Sequence, residues 1–99
     1  MADQAIYVVT HVDIMNKVID EAEAALKKYG ADARGEPGAV RIEVTQETAR
    51  RNHFTILEVW ASMQQFEQHE AAAQTRKFRE VIQPMLGGPL DSRLHYIFK

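Results

Sequence analysis

The segment 52–60 carries large apolar side chains on both of its faces, and this feature constrains the fold more than any other. Its sequence, Asn-His-Phe-Thr-Ile-Leu-Glu-Val-Trp, is rich in the β-branched and aromatic residues that favour strands. Successive side chains of a strand point to opposite faces, so Ile56 and Trp60 lie on one face and Leu57 and Val59 on the other. A sheet built around this strand therefore needs cover on both faces.

The apolar pattern of the rest of the chain predicts three further strands and two helices. Alternating or β-branched segments predict strands at 5–12, 39–46 and 90–98. Apolar residues spaced three or four apart predict helices, the first from about residue 15 and the second from a capping box at Ser62. The order β-α-β-β-α-β predicts an α+β protein of ferredoxin-like fold, with a four-stranded antiparallel sheet and both helices on one face.

Short segments interrupt or end the predicted helices. Gly30 costs about 1 kcal/mol relative to alanine inside a helix, so we expect the first helix to end there or to bend before the turn at 35–38. The alanine-rich segment 70–74 loosens the second helix, which restarts at Thr75. Gly-Gly-Pro at 87–89 ends it.

Two helices can cover only one face of the sheet, which leaves Leu57 and Val59 on the other. A contiguous exposed apolar patch is unusual in a monomer and marks an interaction surface. We therefore predict a homodimer whose two sheets pack face to face.

Composition limits the remaining classes of protein. The 99 residues fit a single domain spanning 1–99, since one core commonly holds about 100 to 150 residues. A net charge of −2 with scattered basic pairs argues against a nucleic-acid partner. No apolar run approaches the roughly 20 residues of a membrane span and no secretory signal is visible, so we expect no membrane partner and a cytoplasmic location. Without cysteine, disulfide scaffolds, thiolate metal sites and cysteine nucleophiles are excluded.

Strand parity groups the residues most able to carry chemistry. Phe54, Ile56, Glu58 and Trp60 share one face of their strand, and they line the cleft between sheet and helices if that face meets the helices. These four residues therefore form the strand side of the candidate site.

The following helix adds His69, with Phe66 on the same face. A carboxylate at Glu58 could orient the imidazole between apolar walls, and such a pair suits a general base. The alternative is structural: His69 bonds backbone at the edge of the core, and Glu58 faces the dimer interface or an arginine such as Arg41 or Arg93.

Other candidates have ordinary structural explanations. Trp60 and Phe66 fit the core as well as a substrate platform, because large aromatics dominate packing. His11, His53 and His95 have no local metal-ligand spacing, so we predict no metal site. The sequence also has no phosphate loop, dinucleotide fingerprint or nucleophile elbow.

Short motifs recur at defined places along the chain: Asn52-x-Phe54, Glu58-x-Trp60, Phe66-x-x-His69 and Pro84-Met85-Leu86. In these motifs and in its element order, over about 6–98, the chain resembles the antibiotic biosynthesis monooxygenase family, also called the quinol monooxygenase-like family. Members of that family are dimeric α/β barrels of ferredoxin-like subunits, and the resemblance implies the same homodimer here.

The resemblance further implies an oxygenase that works without a cofactor. A small aromatic substrate, a quinol, anthrone or related phenol, is deprotonated in an apolar cleft, and its anion itself reduces dioxygen. No flavin, haem or metal is then needed. On this sequence His69 would be the base or its hydrogen-bond partner and Glu58 its orienter. The substrate walls would be Trp60, Phe66, Ile56 and Phe54.

The chain also departs from patterns within the family. Many relatives follow the histidine with Thr-Pro-His-Phe, where this chain has Ala-Ala-Gln-Thr at 72–75, so no substrate contact carries over there. Anthrone-oxidising relatives can carry asparagine and tyrosine where Ile56 and Phe66 stand, which argues against an anthrone. Haem-degrading relatives have an asparagine on the first strand, a tryptophan in place of His69 and a histidine near Arg79. This chain has none of the three, so we do not expect haem degradation.

Two other functions stay open at this level. An isomerase of a small phosphorylated carbonyl compound would need a cation in the cleft, such as Arg41, Lys77 or Arg93. A non-catalytic dimeric module that binds a small molecule would have a closed cleft, with Glu58 and His69 far apart.

Overall fold

A computed structural model describes residues 4–99, so the first three residues of the predicted domain lie outside the described part. The elements follow the predicted order, with the second helix divided in two. The strands are β1 (Ile6–Asp13), β2 (Ala39–Gln46), β3 (His53–Trp60) and β4 (Asp91–His95), and the helices are α1 (Ile19–Arg34), α2 (Met63–Ala71) and α3 (Ala73–Ile82). Short 3₁₀ turns at Asn16–Val18 and Gln83–Met85 precede α1 and follow α3.

The four strands form one antiparallel sheet in the order β2-β3-β1-β4. This is the strand order of a ferredoxin-like fold, and the predicted fold class is confirmed. The doubly apolar strand, β3, lies inside the sheet between β1 and β2. Glu58 near its end is opposite Val8 on β1 and Ile42 on β2.

The helices bury one face of the sheet, and the core lies between them. One cluster joins Phe54 and Ile56 of β3 to Leu26 of α1. A second cluster joins Trp60 at the end of β3 to Phe66 of α2. The even-numbered parity of β3 therefore faces the helices, as the cleft hypothesis required.

The structure narrows the predicted helix boundaries in two places. α1 runs through Gly30 to Arg34, because Gly30 is buried where the helix crosses β2. A Cβ there would lie 3.3 Å from Cγ2 of Val44, so the glycine serves close packing rather than a helix end. The predicted loosening at 70–74 narrows to Ala72, whose extended backbone (φ −67°, ψ 144°) separates α2 from α3.

The last strand is shorter than predicted. β4 ends at His95, which pairs with Tyr7 near the start of β1 at Ile6. Ile6 of β1 has no partner on β4, and the rest of the predicted strand is unpaired within residues 4–99. Its apolar side chains are exposed, with 65% of Tyr96 and 93% of Phe98 accessible.

The opposite face of the sheet has no helix over it in residues 4–99. It carries the odd-numbered parity of the central strands, including Tyr7 and Val9 of β1 and Leu57 and Val59 of β3. Tyr7, Val9 and Leu57 are half-buried, and Val59 is buried by its neighbours in the sheet. This open face is the one for which the sequence predicts a partner.

Candidate functional site

Glu58 is a buried carboxylate at the centre of the site, with 3% of its surface accessible. Both of its oxygens accept hydrogen bonds. Oε1 accepts from the indole nitrogen of Trp60 at 2.8 Å, and Oε2 accepts from the hydroxyl of Tyr29 at 2.5 Å. As a carboxylate Glu58 is an acceptor only, and these two donors stabilise its negative charge.

Tyr29 of α1 connects Glu58 to the helical side of the site. Its hydroxyl also lies 2.9 Å from Nε2 of His69, so one oxygen atom bridges the carboxylate and the imidazole. Burial and the negative charge of Glu58 raise the pKa of Tyr29 well above its usual range. The hydroxyl therefore stays protonated at neutral pH.

His69 of α2 is held from three sides. Its Nδ1 lies 2.8 Å from Oε1 of Glu36 and 3.3 Å from the hydroxyl of Thr75 on α3. Its ring stacks on Trp60, with centroids 4.4 Å apart and planes inclined by 26°. His69 itself is 2% accessible. The surrounding contacts fix both the position of the ring and the direction of each nitrogen.

Glu36 reaches His69 from the turn between α1 and β2. Glycines flank the turn, and Gly38 has the left-handed backbone (φ 85°) that favours glycine. The second oxygen of Glu36 accepts from the side-chain amide of Gln74 on α3. Side chains from α1, β3, α2, α3 and this turn thus form one continuous chain, Glu58–Tyr29–His69–Glu36.

A cavity of about 130 Å³ adjoins this chain between the sheet and α3. Its apolar wall consists of Val8, Ile56, Phe78 and Leu90. Of the linked polar groups, Glu58 and Tyr29 border the cavity. The site can therefore hold a small flat ring with a polar substituent against an ionised carboxylate.

Polar side chains complete the cavity lining. Thr10 and Ser92 contribute hydroxyl groups, which form a hydrogen bond with 2.7 Å between their oxygens. Arg79 of α3 and Glu70 of α2 form an ion pair at 2.6 Å, and both side chains are partly exposed. This ion pair lies on the solvent side of the cavity.

Comparisons with known proteins agree with this architecture. A family model described as antibiotic biosynthesis monooxygenase matches residues 5–81, more than half of the chain. The chain belongs to the antibiotic biosynthesis monooxygenase family. No curated protein matches it.

Solved structures of candidate antibiotic biosynthesis monooxygenases from three bacteria are similar to this family member. The Bacteroides thetaiotaomicron protein is 25% identical, with a TM-score of 0.83 and coverage of 100% of this chain and 92% of that one. The Caulobacter crescentus protein is 18% identical, with a TM-score of 0.90 and coverage of 99% and 93%. The Nitrosomonas europaea protein is 12% identical, with a TM-score of 0.90 and coverage of 97% and 92%.

Only some of the site residues predicted from the sequence of this family member line the cavity. Ile56 and Glu58 line the cavity, whereas His69 and Trp60 lie behind it and contact Glu58 or Tyr29. Glu58 and His69 do approach each other, with 3.7 Å between Oε1 and Nε2. Their partners are side chains, so the expected backbone bond of His69 and the arginine partner of Glu58 are not observed.

Phe54 and Phe66 do not line the cavity. Phe54 packs in the cluster with Leu26, because its position near the start of β3 places it beyond the cavity. Phe66 packs against Trp60, and its ring centroid lies 6.5 Å from that of His69. Both residues therefore support the site from within the core.

Sequence reasoning missed the groups that connect and enclose the site. From the sequence, Tyr29 was assigned only to the apolar face of α1, and Glu36 was assigned only to a turn. Two signals could have found them: a hydroxyl on a buried helix face and a carboxylate between glycines, each needing a partner when buried. The ion pair of Arg79 and Glu70 depends on how α2 and α3 meet at the break at Ala72, so helix spacing alone could not predict it.

Two negative findings apply to residues 4–99. No group of three or more histidine, aspartate or glutamate side chains there has a geometry that could hold a metal ion. None of the helices in that range combines the length and the apolar character needed to cross a membrane.

Proposed function

We propose that this protein is a cofactor-independent monooxygenase that oxidises a small quinol or related phenol with dioxygen. The observation that carries the proposal is the buried carboxyl group of Glu58, held by Tyr29 and Trp60 at the border of an otherwise mainly apolar cavity. An anionic base in such a cavity can deprotonate a phenol, and the family includes enzymes named for monooxygenation.

The reaction balances without a further reductant. A quinol and dioxygen give a hydroxyquinone and water, and the substrate supplies all the electrons that reduce both oxygen atoms. Glu58 accepts the proton of a substrate hydroxyl, which leaves an electron-rich anion in the cavity. The apolar wall at Val8, Ile56 and Phe78 admits dioxygen and keeps the anion poorly solvated.

The cavity volume favours a substrate with one ring. A dry protein cavity of about 150 Å³ holds a benzene molecule, and the volume here is about 130 Å³. An anthrone has three fused rings and exceeds this space. The proposed substrate class therefore narrows to quinols and phenols of a single ring.

The proposed roles differ from those that the resemblance implied. Glu58 borders the cavity and His69 does not, so Glu58 is the proposed base. Trp60 positions Glu58 through its indole N–H and forms no part of the cavity wall. Ile56 keeps its proposed role as a wall residue, and Phe78 joins it.

The alternative functions meet less support. None of the cations named for an isomerase, Arg41, Lys77 and Arg93, lines the cavity. Arg79 does line it, but its guanidinium is paired with Glu70 at 2.6 Å. Arg41 pairs with Glu43 and Arg93 with Asp91 instead. In a purely binding module we expected Glu58 and His69 to lie far apart, whereas the hydroxyl of Tyr29 bridges them.

We further propose that a second copy of the chain covers the open face of the sheet. That face presents Tyr7, Val9 and Leu57 without a helix over them. The adjoining carboxyl-terminal segment exposes Tyr96 and Phe98, and a partner sheet would bury these side chains too. The two sheets would then meet face to face.

Oxygen uptake tests the proposed function. Purified protein freed of metal and flavin is incubated with a panel of single-ring quinols, a two-ring naphthoquinol and an anthrone. We expect uptake of one dioxygen per quinol with single-ring substrates and little with the anthrone. Absence of uptake across the panel would contradict the proposal.

A further inference from the structure

We infer that His69 is an acid and not a base: a doubly protonated imidazolium held by Glu36, which supplies protons to the cavity through Tyr29. The protonation state follows from the hydrogen bonds alone. The supply of protons to a reacting substrate rests on the proposed function.

The first step concerns the nitrogen that faces Tyr29. As a carboxylate Glu58 is an acceptor only, and its two oxygens accept from Trp60 and Tyr29. Tyr29 therefore donates its single hydroxyl hydrogen to Glu58. The contact of 2.9 Å between that hydroxyl and His69 can be a hydrogen bond only if Nε2 of His69 donates.

The second step concerns the nitrogen that faces Glu36. Oε2 of Glu36 accepts from the amide of Gln74, and Oε1 lies 2.8 Å from Nδ1 of His69. An ionised carboxylate can only accept, so Nδ1 must donate as well. Both ring nitrogens then carry hydrogen, and His69 has a positive charge.

The surroundings compensate the cost of burying that charge. Burial of the ring disfavours the charged form, but two carboxylates flank it, at 2.8 Å for Glu36 and 3.7 Å for Glu58. The titratable groups that face His69 are Glu36 from the turn, Glu58 from β3 and Tyr29 from α1. The stacked indole of Trp60 adds a cation–π contact.

The two hydrogen bonds from His69 to Tyr29 and from Tyr29 to Glu58 run towards the cavity. Nε2–H of His69 donates to Tyr29, and O–H of Tyr29 donates to Glu58 beside the cavity. When dioxygen has combined with the substrate anion, the negatively charged oxygen can take the proton of Tyr29, and Nε2–H of His69 replaces it. The proton that Glu58 removed from the substrate balances the one supplied, so no net proton is required.

Glu36 lies nearer to solvent than His69 and holds the nitrogen that keeps its proton. Its side chain is 13% exposed, whereas that of His69 is 1% exposed. After the transfer His69 keeps Nδ1–H on Glu36 and lacks only Nε2–H, which the proton held by Glu58 restores through the hydroxyl of Tyr29. Glu36 is thus a positioning residue that keeps His69 charged.

Nitrogen-15 NMR of the histidine rings in the free protein at neutral pH tests the inference. We expect His69 to show both ring nitrogens protonated. In Glu36→Gln the amide no longer offers an anionic acceptor, and we expect the doubly protonated fraction of His69 to fall about tenfold. The control Glu67→Gln removes an exposed carboxylate of α2 and should leave the His69 signals unchanged.

A neutral His69 in the wild-type protein would overturn the inference, whether or not Glu36→Gln folds. An unchanged doubly protonated His69 in folded Glu36→Gln would overturn the role of Glu36. Neither measurement uses a substrate, so failure here is distinguishable from failure of oxygen uptake.

Discussion

The hydroxyl of Tyr29 on α1 lies 2.5 Å from Oε2 of Glu58 on β3, and this contact joins the helical layer to the sheet at the border of the cavity. It links residues 29 positions apart in the sequence. The same hydroxyl contacts His69, so Tyr29 connects the proposed base to the proposed acid.

Tyr29→Phe should lower the rate of oxygen uptake about a hundredfold. The variant removes the hydroxyl that donates to Glu58 and that links Glu58 to the proposed acid, His69. The variant leaves a buried oxygen of Glu58 without its donor and should lose about 1–3 kcal/mol of unfolding free energy. Urea unfolding and an oxygen electrode measure the two effects. Tyr96→Phe, which removes a hydroxyl that does not line the cavity, is the control. Wild-type turnover in Tyr29→Phe would disprove a catalytic role for the hydroxyl.

Alkaline pH should destabilise the wild-type protein through Tyr29. Its pKa is raised in the folded state by burial and by Glu58, so the folded protein holds the proton where the unfolded chain releases it. The stabilisation is complete below the unfolded pKa of about 10 and falls by about 1.4 kcal/mol per pH unit above it. Urea unfolding at about pH 9 and about pH 11 should show a larger loss in wild type than in Tyr29→Phe. Equal losses in the two proteins would contradict this assignment.

Phe78 should limit the size of the substrate. Its ring packs on that of Tyr29, with centroids 4.4 Å apart, and forms part of the cavity wall. Phe78→Ala should enlarge the cavity and raise kcat/KM for a naphthoquinol relative to a single-ring quinol about tenfold. Val81→Ala, a truncation elsewhere on α3, should keep the wild-type preference. An unchanged preference in Phe78→Ala would place the substrate somewhere else.

The open face of the sheet should form the dimer interface. Leu57→Lys places a charge at the middle of that face and should shift the protein to a monomer at low micromolar concentration. Sedimentation velocity measures the change, with Val81→Lys on the helical side as the matched control. A wild-type protein that sediments as a monomer under these conditions would refute the proposed homodimer.

The sequence predicted the fold well because each element has its own apolar period and the turns carry glycine and proline. The doubly apolar β3 lies inside the sheet, and its even-numbered face meets the helices. Of the two outcomes predicted at Gly30, a helix end there is wrong, because close packing against Val44 outweighs the low helix propensity of glycine and α1 continues to Arg34. The end of β4 was also misjudged, since its pairing with β1 stops at Tyr7 although the apolar alternation of the sequence continues.

The site was predictable only in part. Strand parity correctly grouped Ile56 and Glu58 in the cavity lining, and helix spacing brought His69 near Glu58. The spacing could not show that Tyr29 lies between them, because that contact depends on how α1 packs across the sheet. It also could not show which of Glu58 and His69 faces the cavity, and the proposed roles changed for that reason.

Oxygen uptake by Glu58→Gln tests the central claim most directly. The amide keeps the shape of the side chain but cannot accept a proton from a phenol, so the rate with a single-ring quinol should fall about 100-fold to 10,000-fold. Glu67→Gln, an exposed glutamate on α2, should keep the wild-type rate. Uptake by Glu58→Gln at the wild-type rate, in protein shown to be folded, would contradict the claim that Glu58 is the base of a monooxygenase.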